Sequence, residues 1–175
     1  MCNYMFEVNS HVMYGRTGAC QIKEITNGDL FGKPESKFYI LMPLFSNGMS
    51  IITPVDAPKV TMRNLLSKQE AIELIDSVQR QEPVWEYDEK IRNAQFQAAM
   101  NSGLCSEILT VIHLITKNNE EMLANGRKLS QNDASILKDA KKLLYEEFAL
   151  SLAIRPDQVE SYIASRYAQN DRLAG

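Results

Sequence analysis

Between Leu65 and Ser67 the apolar residues of this chain change their period from two to about 3.6, and that switch divides what it can build. Before it lie short, partly alternating runs: His11–Tyr14, Ala19–Ile25, Lys37–Met42, Met49–Thr53 and Lys59–Arg63. They are rich in β-formers and separated by turn residues: the Gly15–Gly18 link, the polar stretch 26–36, Ser46-Asn47-Gly48, and the break from Val55 to Pro58. Phe38 and Ile40 then share one face of a strand while Tyr39 and Leu41 share the other. Four or five short strands with tight turns make a small barrel or a strongly bent antiparallel sheet. Such a module suits interaction and is too small for a deep active site.

After the switch every apolar stripe is helical. Ser67-Lys68-Gln69-Glu70 is a capping box, in which the serine caps a helix start and Glu70 reaches back to it. Ala71, Leu74, Ile75 and Val78 follow, and this first helix ends near Arg80. Tyr87, Ile91, Ala94 and Ala98 mark the inner face of a second helix, which stops at Asn101-Ser102-Gly103. Ile108, Val111, Ile112 and Ile115 mark a third from about Leu104 to Thr116, and Asn125-Gly126 is a breaker. Ser130 opens the longest stripe, carried by Ile136, Leu137, Ala140, Leu143, Leu144 and Phe148. Pro156 begins a last helix with Val159, Tyr162 and Ile163 inward. The expected fold is therefore α+β: a β module over residues 1–65 and a compact all-helical domain over 66–175.

Composition narrows the function. The 45% apolar and 23% charged residues are those of a folded globular protein, and no run reaches the roughly 18 apolar residues needed to span a membrane. The amino terminus shows no basic segment followed by an apolar one, and Cys2, Cys20 and Cys105 are unclustered, which points to free thiols in a cytoplasmic protein. Net charge is −3: residues 1–67 hold six Lys/Arg against five Asp/Glu, and residues 68–175 thirteen against seventeen. Neither half is the basic surface of an autonomous nucleic-acid binder, so any DNA contact is local or assisted by a partner.

Catalytic residue types are sparse. His11 and His113 fall in different halves, and His113 lies inside the apolar third helix, where it reads as structural. Cys20 and Cys105 read as inert buried thiols, and Glu120-Glu121 and Glu146-Glu147 as solvated helix faces. No glycine-rich phosphate loop, paired-cysteine motif or metal-binding spacing occurs, so neither enzyme activity nor a cofactor is expected.

Glu82-Pro83-Val84-Trp85-Glu86-Tyr87 holds the single tryptophan of the chain. Pro83 favours extended backbone before it and a helix entry after it, which puts Trp85 at or just before a helix start. There it either plugs the seam between two helices or projects toward a partner. Lys90 and Arg92 follow closely, and Glu86, Asp88 and Glu89 complement the helix dipole. Lys138, Lys141 and Lys142 recur on one side of the long helix, with Arg127-Lys128 before its start; this patch can meet phosphates or be a solvated face.

Taken in order, Phe6-Glu7-Val8, Val12-Met13-Tyr14, Gly18, Tyr39-Ile40-Leu41, Ile51-Ile52-Thr53-Pro54 and Val60-Thr61-Met62-Arg63, then Trp85, Asn101-Ser102-Gly103, Leu129-Ser130, Ala140, Leu144 and Glu147-Phe148-Ala149-Leu150, resemble the CarD/CdnL family of bacterial transcription regulators. The first half also resembles the polymerase-interacting module of the transcription-repair coupling factor. The resemblance runs from about Phe6 to Leu152. It implies a Tudor-like β module docking by a strand edge on the RNA polymerase β subunit, through Tyr39, Leu41, Ile51, Ile52, Pro54 and Arg63. It implies a helical domain at the upstream edge of the transcription bubble, where Trp85 wedges into the minor groove and holds the open complex. Trp85, Lys90, Arg92, Lys138 and Lys141 are then the candidate DNA contacts. Glu86, Tyr87 and Asp88 stand where many members have arginines, Ile52 and Gly28 where arginines often face the polymerase, Gly15 where a proline is usual, and Ala134 where some have a lysine. The rival expectation is an adaptor that keeps the β module's partner and no longer engages DNA.

Overall fold

A computed structural model describes residues 6–56, 59–82 and 84–175, with only the backbone of Leu30. Cys2, Pro58 and Pro83, named above, lie outside the described residues. The chain divides into two compact units, Met1–Leu65 and Leu66–Gly175.

The first unit is an antiparallel sheet of β1 (His11–Tyr14), β2 (Gly18–Gly28), β3 (Lys33–Pro43), β4 (Ile51–Pro54) and β5 (Met62–Asn64), in the order β4-β3-β2-β1-β5. β4 and β5 are its edges, so the sheet is bent and open, not a closed barrel. Val12 and Tyr14, Cys20 and Ile22, and Tyr39 and Leu41 alternate onto one face and pack with Phe6. A bulge between Ile22 and Glu24 inserts one residue, so that Ile25, an odd step away, rejoins the same core. The Tyr39 hydroxyl accepts the Phe6 N–H at 3.2 Å, and the two rings meet edge-on.

The stretch 26–36, read as a polar loop, is mostly strand: β2 and β3 run on to a tight turn at Asp29–Phe31. Gly28 makes the turn possible, because a Cβ there would lie 2.1 Å from the Lys33 carbonyl oxygen. Phe31 folds back onto Phe38, with ring centroids 5.0 Å apart, and helps bury it on the second face.

The second unit contains α1 (Lys68–Gln79), α2 (Glu89–Ser102), α3 (Cys105–Ala124), α4 (Gln131–Leu152) and α5 (Pro156–Ala174). The Ser67–Glu70 capping box forms in both directions, Ser130 caps α4, and Pro156 opens α5. α3 passes Thr116 as a polar helix because nothing breaks it before Asn125 and Gly126, the latter at φ 69°. No described helix is long and apolar enough to cross a membrane.

Two expectations are corrected here. The inner face of α2 is Arg92, Phe96 and Met100, while Tyr87 and Ile91 are exposed. Glu146 and Glu147 are buried instead of solvated. Glu147 accepts the Leu66 N–H at 2.9 Å and the Cys105 thiol at 2.6 Å, and the Ser151 hydroxyl donates to the Leu66 carbonyl at 2.6 Å. The start of the helical unit is thereby pinned to α4. Asp76 on α1 and Arg166 on α5 form a bidentate pair, both contacts at 2.6 Å, that closes the bundle on another side.

Candidate nucleic-acid interface

Trp85 lies four residues ahead of α2, in an irregular segment tied to the helix start by local hydrogen bonds. The Asp88 carboxylate caps α2 by accepting the Lys90 and Ile91 amides at 2.9 and 3.0 Å, and Glu86 accepts the Asp88 amide at 2.9 Å. The acids around the tryptophan thus serve the helix start, as the dipole argument expects.

The indole is half-buried. One side packs on the cluster of Phe96, Val111, Ile115 and Ile136, with the Phe96 ring edge-on at 6.1 Å. The Arg92 guanidinium sits 4.6 Å from the ring centroid, a cation–π contact. Arg92 is itself only 6% exposed. Its Nε and Nη2 donate to the two Asp133 oxygens at 3.1 and 2.8 Å, and its Nη1 donates to the carbonyls of Glu86 and Tyr87 at 2.8 and 3.4 Å. Asp133 also accepts the Ser130 hydroxyl at 2.7 Å, so the pair is fixed from the cap of α4. The Asp133 carboxylate raises the Arg92 pKa further, and the guanidinium stays charged at every accessible pH.

This geometry corrects the part expected of Arg92. Its donors are committed inside the protein, so it holds Trp85 and the 86–87 backbone in place and is not aimed at a phosphate. Lys90 and Lys138 are exposed. Lys141 is half-buried and pairs with Glu160 of α5 at 2.5 Å. Val84 and Tyr87 flank Trp85 at 89% and 87% exposure, with Ile91 at 49%, so the tryptophan sits in an outward apolar patch. Asp133 and Phe96 were not singled out from sequence. Asp133, at the third position after the Ser130 cap, has a local signature, but its pairing with a residue 41 positions away has none.

In the β unit the candidate polymerase contacts separate. Tyr39 and Leu41 are 2% and 0% exposed and belong to the core, so their side chains cannot face a partner. Ile51 packs against that core, while Ile52 stands out from edge strand β4. Pro54 ends the same edge and is half-buried. Arg63 lies on β5, the other edge, with one guanidinium N–H donated to the Asn64 carbonyl at 3.1 Å. Among the described residues no cluster of His, Cys, Asp and Glu could hold a metal ion.

The chain is thus an open antiparallel sheet with β4 and β5 at its edges, followed by a five-helix unit that carries a braced tryptophan. Comparison with protein families gives two matches: the CarD-like/TRCF RID domain over residues 6–66 and the CarD C-terminal domain over residues 73–164. The chain belongs to the CarD family, whose members are transcription-associated regulators that interact with RNA polymerase. A search of curated proteins finds no match.

Proposed function

We propose that this protein docks on the β subunit of RNA polymerase through the β4 edge and sets Trp85 against promoter DNA at the upstream edge of the transcription bubble, where it lengthens the life of the open complex. The observation that carries this reading is that Trp85 is braced by Arg92 and Phe96 yet left partly exposed beside exposed Val84, Tyr87 and Ile91. A side chain that only plugged a seam would be fully covered and would not need a buried ion pair to hold it. A rigid apolar wedge suits an unstacked base step, whose disrupted stacking it replaces. Lys90 and Lys138 are the exposed cations that we assign to nearby phosphates. At the β4 edge, the outermost strand offers strand addition and Ile52 an apolar contact. Polymerase then supplies the local concentration that a net-acidic helical unit cannot. Binding of the purified protein to the isolated β-subunit lobe tests the docking step; no association at concentrations of about 100 μM would refute it.

The adaptor reading retains one specific support: Glu86, Asp88 and Glu89 stand beside Trp85, where they repel phosphate. A salt titration separates the two. Phosphate contacts give a falling log–log slope of about −0.9 per neutralised phosphate, and a flat response favours the adaptor.

A further inference from the structure

Three asparagines of this chain directly precede a glycine: Asn27, Asn47 and Asn125. In such a pair the side-chain carboxamide can reach the next backbone nitrogen, and glycine has no Cβ to obstruct the approach. This chemistry is one reason asparagine counts among the thermolabile residues. Whether a given pair reacts depends on what holds its two groups, and the structure separates the three sites. At the end of β2, Gly28 is buried and paired with Lys33, and the Lys37 ammonium donates to the Asn27 side-chain oxygen. At the end of α3, the Asn125 side-chain amide donates to the Glu121 carbonyl at 2.8 Å. The Gly126 amide there donates to the Leu123 carbonyl at 3.0 Å.

Asn47 differs from both. With Gly48 it lies between β3 and β4, in the exposed stretch 45–50, where residues 47–50 are neither helix nor strand. Among the described residues neither Asn47 nor Gly48 makes a hydrogen bond. A Cβ placed on Gly48 would meet only side-chain atoms of Pro43 and Ser46, both at 3.5 Å, so no backbone hems the nitrogen. The electrophile and the nucleophile are therefore both free here, and the segment can rotate into the reactive geometry without opening any other structure. Along the chain on either side stand Phe45, Met49 and Ile52, exposed apolar residues next to and within edge strand β4.

We propose that Asn47 is a site of spontaneous deamidation in the folded protein, and that the product disables the adjoining β4 edge. Hydroxide takes the Gly48 amide proton, and the nitrogen attacks the Asn47 Cγ. The N–Cγ bond forms, the Cγ–Nδ2 bond breaks, and the leaving nitrogen takes a proton from water and departs as ammonia. Water then opens the cyclic imide. Opening at Cγ gives aspartate, and opening at the main-chain carbonyl gives isoaspartate, which lengthens the backbone by a methylene. Either product sets a carboxylate beside an apolar contact surface, where an unpaired polar group weakens binding. This second effect rests on the docking proposed above.

The experiment incubates the full chain at mildly alkaline pH, folded or in urea, and follows each asparagine by peptide mass spectrometry, with an isoaspartyl methyltransferase as the probe for isoaspartate. Asn47 is expected to convert about thirtyfold faster than Asn125 in the folded chain, the effect of the two hydrogen bonds that close the latter. Unfolding should accelerate Asn125 by the same factor and leave Asn47 within about twofold. Asn47→Gln should end the conversion at this position without moving the thermal transition of the β unit. Equal rates at Asn47 and Asn125 in the folded chain, or an Asn47 rate that rises more than about tenfold on unfolding, overturn the site. Modified and unmodified chains, separated by anion exchange, are then titrated with the β-subunit lobe, and the modified form should bind about tenfold more weakly. Equal affinity overturns the effect on the edge. Binding by neither form refutes the docking itself and the edge effect with it, while the conversion rates still decide the site.

Discussion

Asp133→Ala removes the carboxylate that pairs with Arg92 beneath Trp85, and its cost can be worked from the structure. Both partners are buried, at 6% and 2% exposure, so the variant strands a guanidinium that cannot reach water without opening the bundle. Breaking a buried ion pair from one side costs about 3–5 kcal/mol. The low end applies here, since Arg92 keeps the Glu86 and Tyr87 carbonyls and the Asp133 amide still bonds the Ser130 hydroxyl. A loss of about 3 kcal/mol lowers a urea midpoint by about 1.5 M at a typical slope of 2 kcal/mol per molar. Trp85, the only tryptophan, makes fluorescence a local reporter of the helical unit. Its emission should move to the red at low urea as the cation–π brace loosens. Arg92→Met combined with Asp133→Leu removes both charges and should cost about 2 kcal/mol less than the sum of the single substitutions. A loss below about 1 kcal/mol for Asp133→Ala, or strict additivity in the double variant, would refute the brace.

Other consequences are open to simpler checks. Glu147→Gln leaves the Leu66 amide or the Cys105 thiol short of an acceptor and should cost about 2 kcal/mol by urea unfolding, with no change in the fold of the β unit. Gly28→Ala drives a methyl group into the Lys33 carbonyl and should destabilise the β unit by about 2 kcal/mol or more, read from its own thermal transition, and leave the helical unit unaffected. Arg166 holds the Asp76 carboxyl below the usual carboxylate range, so that pair contributes fully above the unfolded pKa of about 3.9 and is lost as the pH falls through the lower folded value. The stability gap between the parent and Asp76→Asn should accordingly stay constant from about pH 7 to 5 and close below about pH 4.

The parts of this protein that sequence discloses are those whose cause is local. The Ser67–Glu70 box, the Ser130 cap, the Pro156 start and the α3 and α4 stripes act within a turn or two, and each appears where its residues imply. The polar stretch 26–36 misleads because Asp, Gly and Pro signal turns, whereas here only Asp29–Phe31 turns and the flanks pair as strands. α2 misleads for a deeper reason. Its apolar residues suggest a face through Ile91 and Ala98, but Arg92 takes the inward position because Asp133 awaits it on α4. Burying an arginine needs that distant partner, and no local pattern reveals it. Glu147 is hidden in the same way by Leu66 and Cys105. For the site, the sequence isolates Trp85 and its exposed neighbour Lys90, while the strand pattern alone cannot say which face of β3 points inward, and Tyr39 and Leu41 prove to be core.

The central claim is that Trp85 contacts the edge of the transcription bubble, and the lifetime of a polymerase–promoter open complex tests it most directly. With saturating protein, Trp85→Ala should shorten that lifetime about tenfold, the loss expected for an aromatic contact worth 1–3 kcal/mol, while the variant stays folded and still binds polymerase. An unchanged lifetime under those conditions would contradict the claim and leave the adaptor reading in its place.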